Sequence, residues 1–107
     1  MTNELLTAIL VERMMGWRVC PDRFLTGDRQ WLARHKFQPT KKLDNAFQLL
    51  NAADPVEYRL GGSNRTGACW ARVKLNGAAG EATSRSMPLA ICLAIARALG
   101  IEVGDLS

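Results

Sequence analysis

Residues 41–100 constrain this chain most, because their hydrophobic spacing changes from a helical period to strict alternation and back again. Thr40 is placed to cap a helix over residues 41–53, with Leu43, Ala46, Phe47 and Leu50 as its buried stripe. Lys41, Lys42 and Gln48 face water in that reading, and Asp54-Pro55 ends the helix. A first strand follows over residues 56–60: Val56, Tyr58 and Leu60 point one way, Glu57 and Arg59 the other. Residues 61–67, rich in glycine, read as a flexible loop. Residues 68–75 alternate again, with Cys69, Ala71, Val73 and Leu75 inward and Trp70, Arg72 and Lys74 outward. Asn76-Gly77 is a hairpin turn, and residues 79–84 form a third strand of small residues. Ser86 or Met87 caps a last helix over residues 89–99, with Pro88 in its first turn and Gly100 at its end. Ala90, Ala94 and Ala98 form a row of small side chains that lets this helix lie close to the sheet. Its other apolar face, with Ile91 and Ile95, needs a cover, either the first helix or a second subunit.

Upstream, Thr2 caps a helix over residues 3–15, with Glu4 in its first turn. Leu5, Leu6, Ile9, Leu10 and Met14 recur at helical spacing, and Gly16 supplies the stop. Trp17-Arg18-Val19 reads as a short strand, and the turn Thr26-Gly27-Asp28-Arg29 joins two further short strands into a hairpin. The fold class expected is α+β: an antiparallel three- to four-stranded sheet with helices packed on it. An α-β-β-β-α core is preceded by an N-terminal helix and a basic hairpin segment. With 107 residues, 48% of them hydrophobic, the chain is expected to be a single domain, 1–107, with a core that needs no staple.

The formal charge of +4 is unevenly spread. Residues 18–42 hold seven of the fourteen Lys and Arg and only two acids, so this segment carries net +5 and the rest −1. An anionic partner, nucleotide or nucleic acid, suits such a segment. The three cysteines, Cys20, Cys69 and Cys92, are far apart and without a CxxC pair. They read as free thiols in a reducing, cytoplasmic setting, with Cys69 and Cys92 as small core residues. One histidine and three scattered cysteines do not make a zinc site, and no cofactor or metal is expected. No run approaches membrane-spanning length, and residues 5–11 lack the flanks of a signal peptide.

No catalytic constellation is visible. Asp44, Asp54, Glu57 and Glu81 are dispersed, and His35 lies between Arg34 and Lys36 with no nucleophile or orienting acid identified. The chain is therefore read as non-enzymatic, and two candidate binding surfaces remain. The first is Arg29, Trp31, Arg34, His35 and Lys36, with Lys41 and Lys42: cations interleaved with an aromatic, suited to phosphate contact and base stacking. The competing reading makes Trp31 and Phe37 core anchors and leaves the cations to solvate a loop. The second is the sheet face carrying Arg59, Trp70, Arg72 and Lys74, where an exposed tryptophan among cations would stack on a base or anchor a protein. The competing reading covers that face with the first helix or with residues 17–37.

The helix–meander–helix order of residues 41–100 resembles the domains that bind double-stranded RNA. Their second helix opens with a lysine cluster that grips phosphates; here Arg85-Ser86-Met87-Pro88 stands in its place, with one cation. Any anion site is thus expected beside Trp31 and not at Ser86. Nearly the whole chain resembles the phage ABA sandwich domain family. The resemblance rests on Met15-Gly16-Trp17, on Phe37-Gln38-Pro39-Thr40 leading into Leu43-Asp44-Asn45-Ala46-Phe47, and on residues 82–86 running into Met87-Pro88-Leu89-Ala90-Ile91-Cys92-Leu93-Ala94. It implies an antiparallel sheet with helices on both faces, and a phage or prophage origin. The leading functional expectation is an accessory protein that inhibits host defence, by sequestering a signalling nucleotide or by blocking a host protein complex. The alternative is RNA or DNA binding through residues 18–42. A homodimer is the expected oligomer, if there is one.

Overall fold

The computed structural model describes residues 2–103. Helix α1, Asn3–Leu10, is capped by the Thr2 hydroxyl accepting from the Leu5 amide at 3.1 Å. It widens into a π-helical turn, Val11–Met15, which Gly16 stops at φ 69°, a conformation glycine adopts without strain. Three short strands follow, β1 (Arg18–Val19), β2 (Arg23–Leu25) and β3 (Trp31–Ala33), paired antiparallel in that order. Helix α2 spans Leu43–Ala53. The meander is β4 (Glu57–Gly62), β5 (Cys69–Leu75) and β6 (Ala78–Ser84), and α3 spans Met87–Ala98. The expected antiparallel strands therefore form two separate three-stranded sheets, in an α+β fold.

The layers are sheet, helix, helices. Helix α3 lies across β5 and β6, and α1 and α2 pack on its far side. Leu6, Leu10, Leu49, Leu50, Ile91 and Ile95 are fully buried in one core, so a single chain covers the face that needed a cover. The approach of α3 to the sheet is governed by Gly80, where any Cβ would run into the backbone of Ala94 and Ala98. The alanine row expected to allow close packing does so, and the strand answers it with a glycine. Ser86 caps α3, and Gly100, at φ 76°, ends it by sending the Ile101 amide back to the Ala96 carbonyl at 2.9 Å. Val103 tucks into the same core, as its apolar character suggests.

A second, smaller core of Val11, Phe24 and Phe37 holds the first sheet. Trp17 packs on it, 5.9 Å from the Phe24 ring and 5.1 Å from Phe37.

Several expectations are corrected. Leu5 and Leu43 are exposed, and the buried face of each helix is rotated, to Leu6, Thr7, Leu10 on α1 and Asn45, Ala46, Leu49, Leu50 on α2. Both helices face α3, so the direction of that neighbour decides which stripe is buried. Thr40 is not the cap of α2. It is buried in the preceding turn, where the Gln38 amide donates to Asn45 Oδ1 at 3.0 Å. Tyr58 and Leu60 do share a face with Val73 and Ala71, but Tyr58 is 47% exposed and Val56 68%. Strand β4 is an edge beyond the reach of α3. Gly61 and Gly62 belong to β4 and not to a loop.

Cys92 is fully buried, as expected, whereas Cys69 is half-buried. Burial pushes the Cys92 thiol up from 9.0 to about 12. It should resist alkylation in the native protein at pH 8 while Cys20 and Cys69 react; mass mapping after a brief maleimide pulse reads this. The same shift predicts a pH effect. Its stabilising contribution is complete below pH 9 and is lost as pH rises towards 12, because only the unfolded thiol then ionises.

Candidate binding surfaces

The larger sheet presents one face to α3 and leaves the other uncovered. Glu57, Arg59, Trp70, Arg72, Lys74, Glu81 and Thr83 are all exposed there. Among the described residues, no element of the first half of the chain buries them. The implied arrangement with helices on both faces is thus corrected: the described helices pack on one face only. The alternation in β5 sends Ala71 and Val73 to the core and Trp70, Arg72 and Lys74 outward, as expected.

The register brings the sheet-face candidates together. Arg59 of β4 lies directly opposite Arg72 of β5, and Arg72 lies opposite Glu81 of β6. Like charges directly opposite one another destabilise the pairing. A bound anion would relieve that repulsion. The Arg59 Nε also donates to Glu57 Oε1 at 2.9 Å. Trp70 stands opposite Gly61 and Thr83, and its indole lies across Gly61, where a Cβ would come within 2.6 Å of Nε1. Gly61 thereby lets the ring sit flat on the sheet with 39% of its surface open. Sequence reasoning found Trp70 but missed the glycine beneath it, having read Gly61 as loop.

Two contiguous hollows share Arg59 and Arg72. One, about 250 Å³, lies among Glu57, Tyr58 and Lys74; the other, about 350 Å³, lies among Trp70, Glu81 and Thr83. Both are open hollows on an exposed face and not an enclosed cleft.

The basic segment is more divided. Trp31 is 56% exposed, so it is not a core anchor, and Arg23 stacks 4.8 Å from its ring centre. Phe37, the other anchor of that reading, is buried in the smaller core. Arg34 turns inward: it donates to the carbonyls of Cys20 at 3.1 Å and Glu4 at 3.3 Å, and lies 4.8 Å over the Phe24 ring. Lys42 Nζ donates to the His35 carbonyl at 3.3 Å. Arg29 sits at the hairpin turn with φ 61°, and His35, Lys36 and Lys41 are exposed. A cleft beside Arg34 and Lys41 measures about 70 Å³, too small for a nucleotide. Arg34 is therefore a scaffold residue as placed, while the remaining cations stay on the surface.

Among the described residues there is no group of three His, Cys, Asp or Glu that could hold a metal, and no helix long and apolar enough to cross a membrane.

A solved structure shares this fold. It is a phage protein from Bacillus cereus ATCC 14579, 14% identical, with a TM-score of 0.78 over 96% of this chain and 92% of that one. No protein-family model and no curated protein matches the chain. The fold of this chain is thus one that a phage protein also has.

Proposed function

We propose that this chain is a phage or prophage protein of the ABA sandwich kind, and that it acts in the host cytoplasm by binding and not by catalysis. The ligand that best fits the open sheet face is a nucleotide, so that the protein sequesters a signalling nucleotide used in host defence. One observation carries this reading: a tryptophan laid flat over Gly61 beside the opposed cations Arg59 and Arg72. The indole offers a stacking platform for a base, and the guanidinium pair, with Lys74, offers donors for phosphate. The fold shared with a phage protein supports the origin.

The test is a fluorescence titration with a panel of cyclic and linear nucleotides, with mass spectrometry of ligand released on denaturation. Trp70→Ala removes the stacking term, worth about 1–3 kcal/mol per base, so affinity should fall roughly ten- to a hundredfold. Arg72→Ala should fall comparably, with folding intact by circular dichroism. Unchanged affinity in both variants, or no nucleotide bound by the wild type, sinks the reading.

A second reading keeps the basic segment as a nucleic-acid surface, because Trp31 is exposed with Arg23 stacked on it. Binding there should weaken steeply with salt as counterions are released. A gel shift with duplex RNA or DNA at low salt that yields no complex ends it.

A further inference from the structure

The two edges of the larger sheet are treated differently. The Ser63 amide donates to the Ala68 carbonyl at 2.9 Å, which sets the hydrogen-bonding phase of β4 against β5. Odd-numbered residues of β4 turn their backbone groups toward β5, and Tyr58 and Leu60 turn theirs to the free edge. Carried across β5, the same phase points the Glu81 carbonyl out of the far edge of β6. There the Arg97 guanidinium takes it, at 2.6 Å. A charged side chain on a β6 acceptor blocks pairing at that edge. Among the described residues no such guard stands on β4 at Tyr58 or Leu60; Tyr58 is the exposed apolar residue of the strand, and the exposed Val56 lies in the bend before it, its amide donating to the Lys74 carbonyl at 2.8 Å.

We propose that β4 is a dimerisation edge, on which a second copy of this chain pairs its own β4 antiparallel about a two-fold axis at Tyr58. The occupant follows from self-complementarity. A two-fold axis keeps faces matched, so only a few registers are open. An axis at Glu57 sets the two Glu57 side chains opposite one another, and an axis at Arg59 sets the two Arg59 opposite. An axis at Tyr58 sets Glu57 opposite Arg59 of the second copy, twice. It also places Tyr58 against Tyr58 on the other face, covering the apolar side chain that the strand of the monomer leaves open. The central Tyr58 amides and carbonyls bond reciprocally. The result is a continuous six-stranded sheet whose open face carries both Trp70 platforms. The pairing stands whether or not that face binds a nucleotide.

Sedimentation equilibrium of the wild-type chain should give a reversible monomer–dimer equilibrium. Glu57→Arg places like charges opposite at both pairs and should raise the dimer Kd about tenfold or more. Arg59→Glu should do the same. The double variant Glu57→Arg/Arg59→Glu restores both pairs in reversed sense and should return the Kd to within about threefold of wild type. Both side chains are exposed, so the variants should fold, and far-UV circular dichroism checks this. A wild type that stays monomeric at its highest attainable concentration overturns the proposal. So does a dimer indifferent to Glu57→Arg, or one that the double variant fails to restore.

Discussion

Gly80→Ala should remove most of the stability of this protein. The added methyl has nowhere to go, because the space it needs holds the backbone of Ala94 and Ala98, with the Arg97 carbonyl carbon 3.0 Å away. A flexible side chain could swing aside; a helix backbone cannot. Either α3 lifts from β5 and β6 along its length, or β6 bends away and loses its pairing. Overpacking of a core by side chains costs typically about 1–3 kcal/mol. Backbone against backbone belongs at or beyond the top of that range, against a total stability of roughly 5–15 kcal/mol. Lifting α3 also loosens Leu89, Ile91 and Ile95, which share one core with α1 and α2. Urea melts should show a large fall in midpoint, or no folded baseline at all. Gly27→Ala is the control: its Cβ meets nothing, and it should stay within about 0.5 kcal/mol of wild type. A Gly80→Ala protein as stable as that control would mean that α3 is not seated as described.

Gly80 also marks the limit of what the sequence alone conveys. The alanine row on α3 announced a close approach, and alternation in β5 separated core from surface correctly. The turn at Asn76-Gly77, the Thr2 and Ser86 caps and the Gly16 and Gly100 stops are local devices, and all appear in the structure. What could not be read depends on neighbours distant in the chain. Leu43 is as apolar as Leu49, and only the position of α3 decides which is buried. Tyr58 has the right parity for the core, yet β4 lies at the edge and α3 does not reach it. The sheet-face quartet was legible because alternation is a two-residue rule. The platform under Trp70 was not, because Gly61 serves a residue nine positions away. Arg34 shows the opposite failure. Its surroundings in the sequence are cationic, but its partners are carbonyls of Cys20 and Glu4 and the Phe24 ring.

That dependence makes Phe24→Ala the second large effect. The first sheet rests on a core of three buried residues, Val11, Phe24 and Phe37, and Phe24 is at its centre. Its ring meets Trp17 at 5.9 Å, Phe37 at 6.2 Å and the Arg34 guanidinium at 4.8 Å. Truncating a buried phenylalanine costs about 3–5 kcal/mol. The larger core does not include this cluster, so the loss should first appear as local opening. Hydrogen exchange should accelerate at the Cys20 and Thr26 amides, which bond to the Arg23 and Gln30 carbonyls, while β5 stays protected. Equal loss of protection in β5 would mean that the two cores unfold as one. The variant keeps every cation of residues 18–42 but not the scaffold that presents them. A nucleic-acid surface built on that segment should weaken with Phe24→Ala, whereas nucleotide capture at Trp70 should survive it. One substitution, in the core beneath the first surface and outside the sheet that carries the second, therefore separates the two readings of function.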